Sequence, residues 1–191
     1  KQITRCLVIS GKMTSGKTTL TNTIMNIAEQ HNIKCYKLCF ATRLKELVTE
    51  LFDLSTNGRT KNRDILVNVG QSMRDIDSNV WVNCLLRELE EKQKEHPDAF
   101  FIVEDGRFPN EIEALKSIGF YALRLEIDED EQLTRIQYSY SDIWEQHWNN
   151  RNNVSETSLD RNMVYWNDVW DVNHWPDVEK WLLQNFINNV V

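Results

Sequence analysis

The spacing of apolar residues along the chain switches repeatedly between two periods. Residues 3–9, ending Cys6-Leu7-Val8-Ile9, form an apolar run of strand length that stops at Ser10-Gly11. Beyond it Leu20, Ile24 and Ile27 recur at helical spacing, which predicts an amphipathic helix from 17 to about 30. A short strand over 34–40 follows, then a helix carrying Leu44, Leu47, Val48 and Leu51, and a polar turn over 55–62. Ile65, Leu66 and Val69 begin a further helical region, with an interruption expected at Gly70. The region resumes with Val82, Leu85, Leu86 and Leu89 on one face.

The run 99–103 is the most strand-like in the chain and leads into Glu104-Asp105-Gly106. Pro109 suits the first turn of the next helix, Ile112, Leu115 and Ile118 make its apolar stripe, and Gly119 suits the left-handed position past its end. Alternation over 121–127 predicts another strand. Residues 128–162 are acidic, then aromatic and Asn-rich, with helical character at the start. A last short strand is expected at 169–172, and Pro176 opens a final helix facing Val178, Trp181, Leu182 and Phe186 inward. Strands and helices alternating in this way predict a largely parallel α/β sheet covered on both faces, with ligands bound where the strands end.

At 191 residues and 41% hydrophobic content, one domain with room for a small lid is the simplest division. No apolar run approaches the ~20 residues of a membrane span, and no leader-like start is present. The expectation is a soluble, cytoplasmic protein, in the host cytoplasm if viral, with no membrane partner. Cys6, Cys35, Cys39 and Cys84 lack metal-site spacing and are expected as reduced thiols, and the four histidines are scattered. A net charge of −7 argues against free nucleic acid as a partner, so an anionic ligand must meet a local cluster of positive charge.

Such a cluster is offered by "SGKMTSGKTTL" at 10–20. Gly11, Gly16, Lys17 and Thr18 have the spacing of a phosphate-binding loop. There backbone N–H groups surround phosphate oxygens, the lysine reaches the outer phosphates and the hydroxyl binds Mg²⁺. The helix that starts there adds its positive end. Gly70 in "GQSMR" and Gly106 in "EDGRFPNE" are each followed by an arginine, Arg74 and Arg107. Asp105, ending a strand, stands where phosphate-loop enzymes place a carboxylate toward the metal.

Taken together, "GKMTSGKTT", "FATRLKEL", "GQSMRDIDSNVWV", "EDGRFPNEIEALKSIG" and "SETSLD" resemble the deoxynucleoside monophosphate kinases of bacteriophages, within the nucleoside monophosphate kinase group. The resemblance covers most of the chain in order. It implies a P-loop doubly wound parallel sheet with helices on both faces and a small helical lid over about 128–162. The acceptor region would lie over about 40–82. It implies Mg²⁺ with ATP as donor and a dNMP as acceptor. The ATP-binding set would be Gly11, Met13, Thr14, Ser15, Gly16, Lys17, Thr18, Thr19 and Arg135, with Thr18 and Asp105 toward the metal. The acceptor set would be Phe40, Arg43, Lys45, Gln71, Arg74, Trp81, Asp105, Arg107 and Glu111. Lys17, Arg74, Arg107 and the lid candidate Arg151 would carry catalysis, with Arg161 a second lid candidate. Trp81 and Trp148 are the tryptophans to consider as base-stacking surfaces.

The function expected from this is transfer of the γ-phosphoryl group of ATP to a deoxynucleoside 5′-monophosphate, giving the diphosphate. The alternative keeps the fold and changes the acceptor to a modified base in DNA, approached through Arg59, Lys61 and Arg63, or to another small phosphorylated metabolite. A nucleotide-driven switch is disfavoured because no Asn-Lys-x-Asp motif occurs: Thr60-Lys61-Asn62 is followed by Arg63, with Asp64 one place late. The intact Gly-Lys-Thr disfavours a degenerate binding module. Base preference, and whether the chain works as a homodimer, stay open.

Overall fold

A computed structural model of the chain describes residues 5–52, 59–160 and 165–188, the side chains of 59–61 excepted. Arg161, residues 55–58 of the turn expected at 55–62, and residues 3 and 4 of the first strand lie outside the described residues, and the rest of that expected turn, 59–62, is helical instead.

The expected strands form one five-stranded parallel sheet: β1 (Cys6–Gly11), β2 (Cys35–Leu38), β3 (Phe100–Gly106), β4 (Tyr121–Glu126) and β5 (Asp168–Asp171), in the order β2-β3-β1-β4-β5. In β1, Leu7 and Ile9 face one side and Cys6 and Val8 the other, and all four are buried. That is why β1 reads as an uninterrupted apolar run rather than an alternation. It is central, pairing with β3 (Leu7 opposite Ile102) and with β4 (Leu7 opposite Tyr121).

Helices of the sheet-containing unit are α1 (Lys17–Gln30), α5 (Pro109–Ser117), α6 (Glu129–Ser139), α7 (Trp144–Asn149), α8 (Val154–Thr157) and α9 (Val178–Leu182), the last continuing as a widened turn over Leu183–Ile187. On one face of the sheet α1 contributes Leu20, Ile24 and Ala28, and the C-terminal helix contributes Trp181, Leu182 and Phe186, to a core with Leu7, Ile9, Phe100, Ile102, Leu123 and Leu125. Each fully buried Leu, Ile or Phe there is worth roughly 1.5–3 kcal/mol of transfer free energy. On the other face α5 buries Ile112 and Leu115 and packs against β4. Pro109 opens α5, and Gly119 follows its end at φ +97°, as the sequence predicts.

The chain divides into two compact units, residues 1–37 with 98–191, and residues 38–97. The second is helical: α2 (Ala41–Leu51), α3 (Arg59–Ile76) and α4 (Val80–Glu95). The acceptor region expected over 40–82 falls within it. Helix α3 runs through Gly70 instead of breaking there. Its missing side chain lets α2 approach, since a Cβ at Gly70 would stand 3.0 Å from Leu44 Cδ2. Trp81, Val82, Leu85 and Leu89 supply the buried face of α4.

Candidate functional site

The phosphate-loop motif forms the expected strand–loop–helix corner, with β1 entering and α1 leaving. Two of its residues take the left-handed conformation, Thr14 at φ +63° and Gly16 at φ +90°. At Thr14 this conformation costs on the order of 1 kcal/mol or more, a local strain of the kind that clusters at functional sites. Gly16 pays no such penalty, and a Cβ there would meet the Trp175 ring at 3.2 Å. Alternating right- and left-handed residues turn successive N–H groups toward one concavity, a nest for an anion. The following helix has no side-chain cap, so its first N–H groups stay available for that role.

Lys17 folds back over the loop, donating from Nζ to the carbonyls of Gly11 (2.6 Å) and Lys12 (2.8 Å). Desolvation by burial, helped by the Arg107 charge, brings its ammonium down to about 8, against the opposing pull of Glu156, Asp105 and Glu104. The motif lysine, Arg107 and the two carboxylates ending β3 therefore share one electrostatic neighbourhood. Glu104 binds Lys37 Nζ through Oε1 at 3.2 Å, and its Oε2 is buried without a partner.

A cleft of about 550 Å³ opens beside the loop, lined by Thr14, Gly16, Lys17, Thr18 and Thr19 on one side and by Thr134, Arg135, Tyr138, Ser139 and Tyr140 of α6 and its end on the other. Volumes of this order hold small-molecule cofactors. Arg135 is fixed at its rim by Glu131 (2.6 Å), the Thr14 carbonyl (3.3 Å) and Asn173 Oδ1 (3.4 Å). Tyr138 is 91% exposed, an aromatic ring presented to solvent in the wall of a cleft. The sequence reading missed it, although its spacing of three from Arg135 on one helix could have flagged it.

The segment 144–160 meets the loop through carboxylates that sequence reasoning also left unassigned. Glu156 of α8 accepts from Met13 N (3.0 Å) and from the Arg107 guanidinium (2.6 Å). Asp160 pairs with Lys12 (3.2 Å) and with Arg124 (2.6 Å), a strand arginine that also lies over the Trp166 ring. Gln132 donates to the Met13 carbonyl (3.1 Å).

Several expected site residues have other work. Trp81 is 3% exposed and donates its indole N–H to the Gly70 carbonyl, so it offers no face for stacking on a base. Glu111 is buried and accepts from the N–H groups of Arg107 (2.8 Å) and Phe108 (3.1 Å). It caps α5 instead of meeting substrate, and the interaction holds Arg107 in place. Arg151 lies 4.0 Å over the Trp148 ring and donates to the Trp148 carbonyl, which uses both residues in packing the segment 144–160. In the helical unit Phe40 is buried, Gln71 bonds Asp75, and Lys45 is exposed. Arg74 ends α3, half-buried, with its guanidinium alongside Gly70. Phe40 and Arg43 line a cleft of about 280 Å³ with Arg87, but Glu46, Glu88 and Glu91 line it too. Arg43 is already paired with Glu46 at 3.0 Å, so that cleft is a poor seat for a phosphate.

Glu104 and Asp105, carboxylates whose charge acts on Lys17, are the donors on this chain that a magnesium ion carried in with a phosphate could use. No group of three or more His, Cys, Asp or Glu side chains able to hold a metal occurs among the described residues. Mg²⁺, however, is commonly bound by one or two carboxylates plus phosphate oxygens and water. The exposed Thr18 in the first turn of α1, Asp105, and the partnerless Glu104 Oε2 are donors of that kind.

No protein-family model matches the chain, and neither does any curated protein sequence. Among solved structures it is similar to an uncharacterized protein from Eubacterium ventriosum, with a TM-score of 0.53 and 14% identity over 98% of this chain and 99% of that one. At that identity the likeness is one of fold: an α/β architecture built on a parallel sheet.

Proposed function

We propose that the chain is an ATP-dependent phosphotransferase whose acceptor is a deoxynucleoside 5′-monophosphate. The observation that carries the reading is the loop itself. A left-handed Thr14 and Gly16 turn backbone donors inward, and a desolvated Lys17 stands beside a nucleotide-sized cleft.

On this reading the loop amides and Lys17 hold the donor phosphates, and the cleft along α6 takes the donor nucleoside, with Arg135 at its rim and Tyr138 against the base. Mg²⁺, when bound with ATP, would neutralise charge on the phosphate oxygens, with Thr18 and Asp105 the residues that would hold it. Arg107, whose main chain is fixed by Glu111 and by the Ser158 hydroxyl, neutralises charge on the group in transfer. Acceptor recognition is assigned to Arg74 and Lys45 on the sequence resemblance. The acceptor phosphate is already a nucleophile near neutral pH, so the protein's task is positioning, charge neutralisation and exclusion of water. A coupled assay of ATP turnover over the dNMPs, the NMPs and duplex DNA tests this. Turnover is expected only with a free deoxynucleotide, and ATP consumption indifferent to every acceptor would refute it.

A further inference from the structure

The anion nest of the loop already holds an anion. Glu156 places one carboxylate oxygen 3.0 Å from Met13 N and the other 2.6 Å from the Arg107 guanidinium, and its side chain is only 5% exposed. Its charge also acts on the Lys17 ammonium. One buried carboxylate thus meets a backbone donor of the loop and a guanidinium and acts by its charge on the motif lysine, the three kinds of group that a phosphoryl group uses there.

We propose that Glu156 is an internal stand-in for the outer phosphate: a positioning residue that keeps Arg107 aimed at the loop and is displaced when a polyphosphate binds. The inference rests on the loop being a polyphosphate site, as in the function proposed above, and is indifferent to the acceptor. Two anions cannot share Met13 N and Arg107, since each would face the other's charge at hydrogen-bond distance with little water between them. The arriving phosphate therefore takes over both donors, and Glu156 turns away. The main chain of Arg107 stays fastened by Ser158 Oγ, so the guanidinium can pass from carboxylate to phosphate without rebuilding the loop around it. Binding is weakened by the fraction of molecules in which the carboxylate has to leave first. A competent fraction of about one tenth lowers apparent affinity about tenfold.

Calorimetric titration of the full chain with pyrophosphate and with ATP tests this. Glu156→Gln keeps the shape and removes the charge, and is expected to bind both about tenfold more tightly than the wild type. A catalytic or purely structural Glu156 predicts the opposite, lower turnover or lower stability with equal or weaker binding, and that result overturns the proposal. A second measurement needs no variant: hydrogen exchange of backbone amides over 153–158 in the wild type should accelerate when pyrophosphate is added. Unchanged or slowed exchange would also overturn it. If neither wild type nor variant binds pyrophosphate or ATP, the nucleotide reading itself fails. Wild-type binding without tightening in the variant removes only the role of Glu156.

Discussion

The phosphate loop and the segment 144–160 lie against one another yet are built on different principles. The loop makes its concavity from backbone, with a few residues fixed by φ angles, a strand on one side and a helix on the other. The segment 144–160 consists of turns of three to six residues held by side-chain contacts: Arg151 on Trp148, Glu156 on Met13 and Arg107, Asp160 on Lys12 and Arg124. Helices this short do not persist without tertiary support. A backbone-built site persists through ligand exchange, whereas a region built from ion pairs can be traded for a competing ion.

The largest test of the comparison is Lys17→Ala. It removes the cradle's ammonium together with its bonds to the Gly11 and Lys12 carbonyls, so turnover should fall by about 10²–10³-fold, the cost of one electrostatic donor at a reacting group, with the circular dichroism spectrum unchanged. A variant with near-normal turnover would break the assignment of the loop. Tyr138→Ala acts on the other wall of the cleft. Loss of one base–aromatic stack is worth about 1–3 kcal/mol, so KM for ATP should rise about tenfold with kcat nearly constant, and an unchanged KM would leave the exposed ring without a ligand.

The smallest effect concerns the proton on Lys17. Its pKa falls from 10.5 in the unfolded chain to about 8 in the folded one. Below the lower value both states are protonated and the burial penalty is present in full. Between the two values the unfolded state binds more protons, so this group's contribution to stability improves as pH rises. A bound phosphate restores the favourable partner and draws the proton back. ATP binding near pH 9 without divalent cation should therefore take up a fraction of a proton, and affinity should fall above about pH 8. Titrations in two buffers of different ionisation enthalpy measure the uptake, which Lys17→Ala should abolish.

The strands were legible in the sequence for different reasons: β1 and β3 are apolar runs buried on both faces, β4 shows through its alternation, and the short, partly exposed β2 and β5 show through their place between helical segments. The loop was legible for a related reason: Gly11, Gly16, Lys17 and Thr18 are local in sequence, and their chemistry depends on spacing alone. Gly70 misled because a helical glycine can mark a break or a close contact, and only the nearness of Leu44 distinguishes them. Trp81 and Glu111 misled in another way, since an aromatic ring or a carboxylate near a motif carries no sign of whether it will be buried, capping or exposed. Glu156 stood inside a quoted motif without a role, because its partners Met13 and Arg107 are 143 and 49 residues away.

Asp160 joins Lys12 of the loop to Arg124 of the sheet, one turn beyond Glu156. Lys12 and Asp160 are about a quarter exposed, within reach of dissolved ions, whereas Arg124 is almost wholly shielded. Electrolyte therefore weakens the outer half of this tether and spares the inner half, over a Debye length of about 8–10 Å at ordinary ionic strength. Ionic strength thus becomes a graded control on how firmly the Asn-rich segment is moored. Two laboratories working at different salt concentrations would be handling the same molecule with different slack.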